Sequence, residues 1–111
     1  MTNSQKFYAT EKRERLFALN NYVCPFTGKR VDQLAHCIPK TKANLKKYGE
    51  EIINHDYNLI PVHGLEANAK CLVENNAFKK AVLIGMIKNA IYEGVTKPLK
   101  AKEILHWIEV I

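Results

Sequence analysis

A histidine inside an apolar run, Leu34-Ala35-His36-Cys37-Ile38-Pro39, is the first group in this chain that could move a proton. A second apolar run, Asn58-Leu59-Ile60-Pro61-Val62, opens on asparagine, and Asn68-Ala69-Lys70 follows. Asp32, His55 and His63 stand close to these in sequence and add one carboxylate and two imidazoles. A neutral histidine is suited to take a proton from water, because its unperturbed pKa lies near working pH. One divalent cation is suited to the rest of a phosphodiester hydrolysis, stabilising charge on the phosphate and holding the leaving oxygen. Mg²⁺ keeps several waters, so one or two protein oxygens are enough to hold it. Taken singly, His36 reads better as a core histidine, His55 as a hydrogen-bonding loop residue and His63 as part of a turn.

The elements that must position these groups follow from periodicity and punctuation. Ser4 to about Asn20 reads as a helix with Phe7, Leu16, Phe17 and Leu19 as apolar anchors, Ser4 as N-cap and Asn20-Asn21 as the stop. Thr27-Gly28-Lys29-Arg30 is a turn. Val31 to Ile38 is a first strand, ended by Pro39, which cannot donate to a ladder. Lys40 to Gly49 is a basic connection with a helical turn around Ala43–Tyr48 and Gly49 as its cap. Asn58 to Val62 is the returning strand, and Leu65 to Val73 a helix facing inward with Leu65, Ala69, Leu72 and Val73. Ala77 to about Tyr92 is a longer helix capped by Asn75 or Asn76, apolar on most sides and therefore central or part of a dimer interface. Gly94 and Pro98 separate it from a last helix, about Lys100–Ile111, with Ile104, Trp107, Ile108 and Ile111 on one face.

At 111 residues the chain is expected to form a single domain over 1–111, with an N-terminal helix in 1–21, a core in 22–74 and C-terminal helices in 75–111. There is no apolar run long enough for a membrane span and no apolar core of a signal peptide at the start, so a soluble, cytoplasmic protein without membrane contact is expected. Net charge is +6 and unevenly placed: residues 1–49 carry ten Lys/Arg against three Asp/Glu, and residues 50–111 carry seven against eight. A basic half beside His36 is the footprint of a polyanion-binding face, as well as of a merely solvated one. Cys24, Cys37 and Cys71 are odd in number and contain no Cys-x-x-Cys, which argues against a disulfide framework or a zinc ribbon and for small buried hydrophobes.

Strand, proline, basic loop, Asn-Leu-x-Pro strand and helix, in that order across Cys24 to Val73, resemble the ββα-metal motif of the HNH endonuclease family, in the form of its small stand-alone phage-type members. The resemblance implies an α+β fold in which a short antiparallel hairpin and its helix pack among N- and C-terminal helices. It implies that His36 is the general base, that Asn58 braces the loop and keeps the histidine oriented, and that Asn68 holds the third motif position as a metal ligand. The implied activity is that of a metal-dependent DNA endonuclease using one divalent ion, Mg²⁺ or Mn²⁺ first. With His55 and His63 in reach, Ni²⁺ or Zn²⁺ are alternatives. Arg13, Arg15, Lys40, Lys42, Lys46 and Lys47 are then expected on DNA phosphates.

The sequence departs from the family at the residue before the base, usually a metal-binding Asp or His and here Ala35. Asp32, His55 and His63 are the candidates to replace it. Asp32 lies about 13 Å from His36 along a regular strand, at ~3.3 Å per residue, so sharing one ion requires a bend or bulge. The same departure leaves a second reading open, a catalytically inactive HNH-fold module that binds nucleic acid. A third reading makes the apolar C-terminal half a homodimer interface and His36 a core residue, and dimerisation through the C-terminal helices is compatible with all three.

Overall fold

The computed structural model describes residues 3–109, with side chains from Thr10 to Glu109. It is an α+β fold. Helix α1 (Asn3–Leu19) leads to strand β1 (Gln33–His36), short helices α2 (Lys42–Tyr48) and α3 (Glu50–Ile53), strand β2 (Leu59–Val62), α4 (Gly64–Lys70), α5 (Ala77–Glu93) and α6 (Ala101–Glu109). None of the described helices is long and apolar enough to cross a membrane.

Helix α1 stops where the paired asparagines lead one to expect. Asn21 and Tyr22 both take positive φ, 56° and 60°, which turns the chain out of the helix. Asn20 works at both ends of the molecule: its Nδ2 donates to Leu16 O at 2.8 Å, and its Oδ1 accepts the Ala101 N–H at 2.7 Å, capping the start of α6. The side chains of Ser4 and Phe7, and Ile111, lie outside the described residues. The turn at Thr27-Gly28 closes with Gly28 N–H on Cys24 O at 3.0 Å, and Gly28 uses its freedom at φ 72°.

Strands β1 and β2 pair antiparallel, Gln33 with Val62, Leu34 with Pro61, Ala35 with Ile60 and His36 with Leu59. The ladder is shorter than the expected Val31–Ile38 strand because Asn58 replaces a strand partner beyond His36. Its side-chain Oδ1 accepts the Ile38 N–H at 2.8 Å and its Nδ2 donates to Ile38 O at 3.1 Å, imitating a peptide unit. Asn58 itself sits in a 3-10 turn, Asp56–Asn58, rather than in the strand.

The core gathers around this hairpin. Ala35, Cys37, Ile38, Ile53, Ile60, Val62, Leu83 and Ile87 are fully buried, and all three cysteines are free and buried. Helix α5 faces it with Leu83, Ile87 and Ala90, is capped by Asn76 Oδ1 on the Lys79 N–H at 3.0 Å, and ends at Gly94 with φ 72°. Two faces differ from the expected ones. Helix α4 buries Ala67, with Cys71 and Val73 just beyond it, while Leu65 is 81% and Leu72 49% exposed. The helix starts at Gly64 and lasts seven residues, so the pattern drawn over Leu65–Val73 spans a helix and a turn. Helix α6 faces inward with Ala101, Ile104 and Ile108, and Trp107 is 57% exposed.

Candidate functional site

Sequence alternation puts Gln33 and Ala35 on one face of β1 and Leu34 and His36 on the other. The sequence-predicted residues accordingly sort into two groups.

The first group surrounds His36, which is half-buried at the end of β1. Its Nε2 lies 3.3 Å from Asn54 Oδ1. An amide oxygen only accepts, so with the Asn54 amide oriented this way Nε2 carries the proton and Nδ1 is the basic nitrogen. Burial holds His36 below its ordinary pKa; the Asn54 hydrogen bond opposes this, and the charges of Lys40 and Lys12 add to it. The ring is therefore neutral at neutral pH. Asn54 is anchored in turn, its main-chain O accepting from Lys12 Nζ at 2.7 Å.

Next to Asn54 the side chain of Asp56 takes Arg15 in a two-pronged pair at 2.8 and 3.1 Å, with Lys12 at 3.7 Å. Burial works to raise the Asp56 carboxyl, and Arg15 and Lys12 outweigh it, so it stays ionised below the usual carboxylate range. An open cavity of about 340 Å³ lies here, lined by Lys12, Arg15, Glu51, Asn54, His55 and Asp56 among others. His55 is committed at both nitrogens: Nδ1 accepts the Tyr57 N–H at 3.1 Å, and Nε2 donates to Thr96 Oγ1 at 3.2 Å. Burial lowers its pKa, against the pull of Asp56.

The second group lies on the Gln33 face. Asn68 Nδ2 donates to Gln33 Oε1 at 2.6 Å, and Gln33 Nε2 to Asp32 Oδ1 at 3.2 Å. The same Asp32 oxygen accepts the Gly64 N–H at 3.1 Å, the main reason its carboxyl is held below the usual range. His63 Nδ1 donates to Arg30 O at 2.9 Å and stands 3.6 Å from Asp32 Oδ2. Gln33 thus links Asp32 to Asn68, and His63 stands beside Asp32, whereas His55 is next to Asn54, the partner of His36. Between the two groups on the strand stands Ala35, fully buried and without a donor atom.

The fit to a divalent ion follows from these partners. Among the described residues no three His, Cys, Asp or Glu side chains gather as a cation site. His55 has no free nitrogen, one Asp32 oxygen already serves two donors, and Asn68 offers only its amide oxygen. His55 therefore offers no ligand atom, and Asp32 and His63 stand beside each other without a third such side chain among the described residues.

The brace at Asn58 is the most constrained feature of the region. The side chain is fully buried, and besides its two bonds to Ile38 its Nδ2 donates to Ile53 O at 2.7 Å, while its main-chain O accepts the Cys37 N–H at 3.0 Å. It thereby ties the two peptides that follow His36 to the segment that carries Asn54.

Of the expected phosphate-binding residues, Lys40, Lys42 and Lys46 are exposed on or before α2, and Lys47 lies 5.3 Å from the Tyr48 ring centroid. Arg15 spends its guanidinium on Asp56, and Arg13 donates to Asp32 O at 2.7 Å. The partners that sequence reasoning missed are Asn54, Gln33, Lys12 and Asp56. The only local signal for Asn54 was its place beside His55 in the segment returning to β2. No family model, no curated protein and no solved structure matches the chain.

Proposed function

We propose that the chain is a nucleic-acid phosphodiester hydrolase of the HNH kind, in which His36 takes a proton from the attacking water and β1, β2 and α4 form the ββα unit. The observation that carries this reading is the Asn58 brace. A buried asparagine at the motif's middle position holds both polar groups of Ile38, two residues after the histidine. The histidine is tied at Nε2 to Asn54 and left with Nδ1 to accept a proton, in a neutral ring. Lys12 and Lys40, whose charges depress His36, favour a phosphate beside it. A divalent ion would supply charge stabilisation at the leaving oxygen; among the described residues no three His, Cys, Asp or Glu side chains gather for it, so no step is assigned to it.

A second reading, a module that grips nucleic acid without cutting it, is favoured by one observation: the motif's first metal position is a fully buried alanine. One experiment separates them. Supercoiled plasmid is incubated with the protein in EDTA, Mg²⁺, Mn²⁺, Ni²⁺ or Zn²⁺, beside His36→Ala. Nicking with at least one ion, lost in the variant while DNA retardation survives, is expected. Retardation without nicking under every condition would leave the binding module.

A further inference from the structure

Resting on that reading, we propose that the cleft between α2 and α5 is a second phosphate site, which holds the nucleic-acid backbone away from His36 through Lys47, Tyr48 and Lys80. The cleft measures about 310 Å³ and includes Glu74 and Ile84 in its lining. Two lysines from elements far apart in sequence converge there on one tyrosine: Lys47 Nζ and Lys80 Nζ are each 5.3 Å from the Tyr48 ring centroid. Like charges brought to one ring repel. The carboxylate that answers them is Glu74, whose Oε1 is 2.9 Å from Lys80 while its Oε2 accepts from Asn44 Nδ2 at 3.0 Å. Among the described residues no carboxylate lies within ion-pair distance of Lys47. The cleft therefore keeps a surplus positive charge beside a hydroxyl that can donate, the chemistry that receives a phosphodiester oxygen.

The state of Tyr48 agrees with this field. Burial works to raise its hydroxyl, and the neighbouring positive ends of Lys47 and Lys80 outweigh it, so it is held below the ordinary tyrosine value. Placement supports a backbone rather than a free anion. Exposed Lys46 and Lys42 continue along α2 towards Lys40, whose charge reaches His36. Helix α2 is about 10 Å long at 1.5 Å per residue, long enough to run beside more than one phosphate. Lys80 brings α5 into this surface, although the half of the chain that carries it has no net positive charge.

The test uses the full chain carrying His36→Ala, so that binding is read without cleavage. Affinity for a labelled duplex is measured by fluorescence anisotropy over a salt series, with inorganic phosphate as a competing probe. The double variant Lys47→Gln/Lys80→Gln should lower the slope of log K against log salt by about 1, as one phosphate contact is lost, and equally for duplexes of different sequence. Glu74→Gln, which removes the competing carboxylate, should tighten binding. Weak displacement by inorganic phosphate is expected if the site needs a continuous backbone. Displacement at a concentration comparable to that of duplex phosphates would mean a free-anion site and overturn the assignment to a backbone. An unchanged slope in both folded variants would overturn the site while leaving the nuclease reading intact. Failure of the His36→Ala protein to bind any duplex would remove both.

Discussion

Asn58→Ala is the substitution with the most direct route from structure to number. It removes the partners of three buried main-chain groups, Ile38 N–H, Ile38 C=O and Ile53 C=O, at a fully buried position. Each buried group left unpaired costs about 1–3 kcal/mol, and a water entering the vacated space recovers part of that. A net loss of about 3–5 kcal/mol follows, a large share of the ~5–15 kcal/mol typical of a domain. The midpoint of thermal unfolding should fall by about 12–20 °C. Asn58→Asp separates hydrogen bonding from shape. An ionised carboxylate still accepts the Ile38 N–H but faces two carbonyl oxygens in a fully buried site. Its folded pKa is therefore raised above the unfolded value of about 3.9. A raised folded pKa means that stability is retained below the unfolded value and lost as pH rises through the folded one. The gap between Asn58→Asp and the parent should thus widen from pH 4 to pH 7. Urea unfolding followed by far-ultraviolet circular dichroism at both pH values reads these quantities. A cost for Asn58→Ala below about 1 kcal/mol, or a pH-independent gap for Asn58→Asp, would refute the account of Asn58 as the brace of this loop.

Burial holds folded His36 below its ordinary pKa, so the unfolded chain binds that proton more readily. The stability gained from a neutral ring is complete above the unfolded value of about 6.5 and is lost as pH falls through the folded value. His36→Gln should flatten the decline in unfolding free energy on the acid side of pH 6.5, and an identical pH profile would contradict the burial argument. Asn54→Asp places a carboxylate on His36 Nε2 and should raise the histidine's pKa, read by NMR titration of the ring, moving the acid limb of any cleavage profile upward by the same amount. Gly94→Ala tests the end of α5: nothing lies within 4 Å of a Cβ built there, so the cost should be only that of the left-handed conformation, about 1 kcal/mol, with Gly94→Asn costing less in the same melts.

The signals that could be read from sequence were the local ones. Asn20-Asn21 stops α1, Gly49 closes α2, Asn76 caps α5 and Gly94 ends it, because each acts on main chain within a few residues of itself. The hairpin was legible because apolar runs bounded by Pro39 and Asn58 define its strands. Faces were less legible where elements were short. An inward face of Leu65, Ala69, Leu72 and Val73 rests on a periodicity that needs more turns than the seven residues of α4 provide; Val73 is buried, and Leu65, Ala69 and Leu72 are exposed. The partners of the candidate site were not legible at all. Asn54 meets His36 across 18 residues, Arg15 meets Asp56 across 41 and Asn20 meets Ala101 across 81. No local pattern encodes such pairs; they exist only once the elements that carry them have been packed together.

The connection from β1 to β2 gives the strongest reason to regard this loop as more than a link. Two antiparallel strands can be joined by two residues, yet here the chain spends residues 37 to 58 between them. Helices α2 and α3 and the 3-10 turn all lie within it, so it is a folded segment in its own right rather than a bare loop. It also contains every buried polar residue of the described chain, Asn44, His55 and Asn58. Their side chains bond to the main chain of Pro39, of Tyr57, and of Ile38 and Ile53. Those partners are main-chain groups that no substitution can make apolar, so each bond keeps a buried peptide group paired, and losing it is expensive. What they achieve is a single conformation for a long basic loop, with His36 at its root, Lys40 and Lys42 along it and Asn54 returning to the histidine ring. A site that must place one imidazole against one phosphate needs that order, and a connection serving only to join two strands does not.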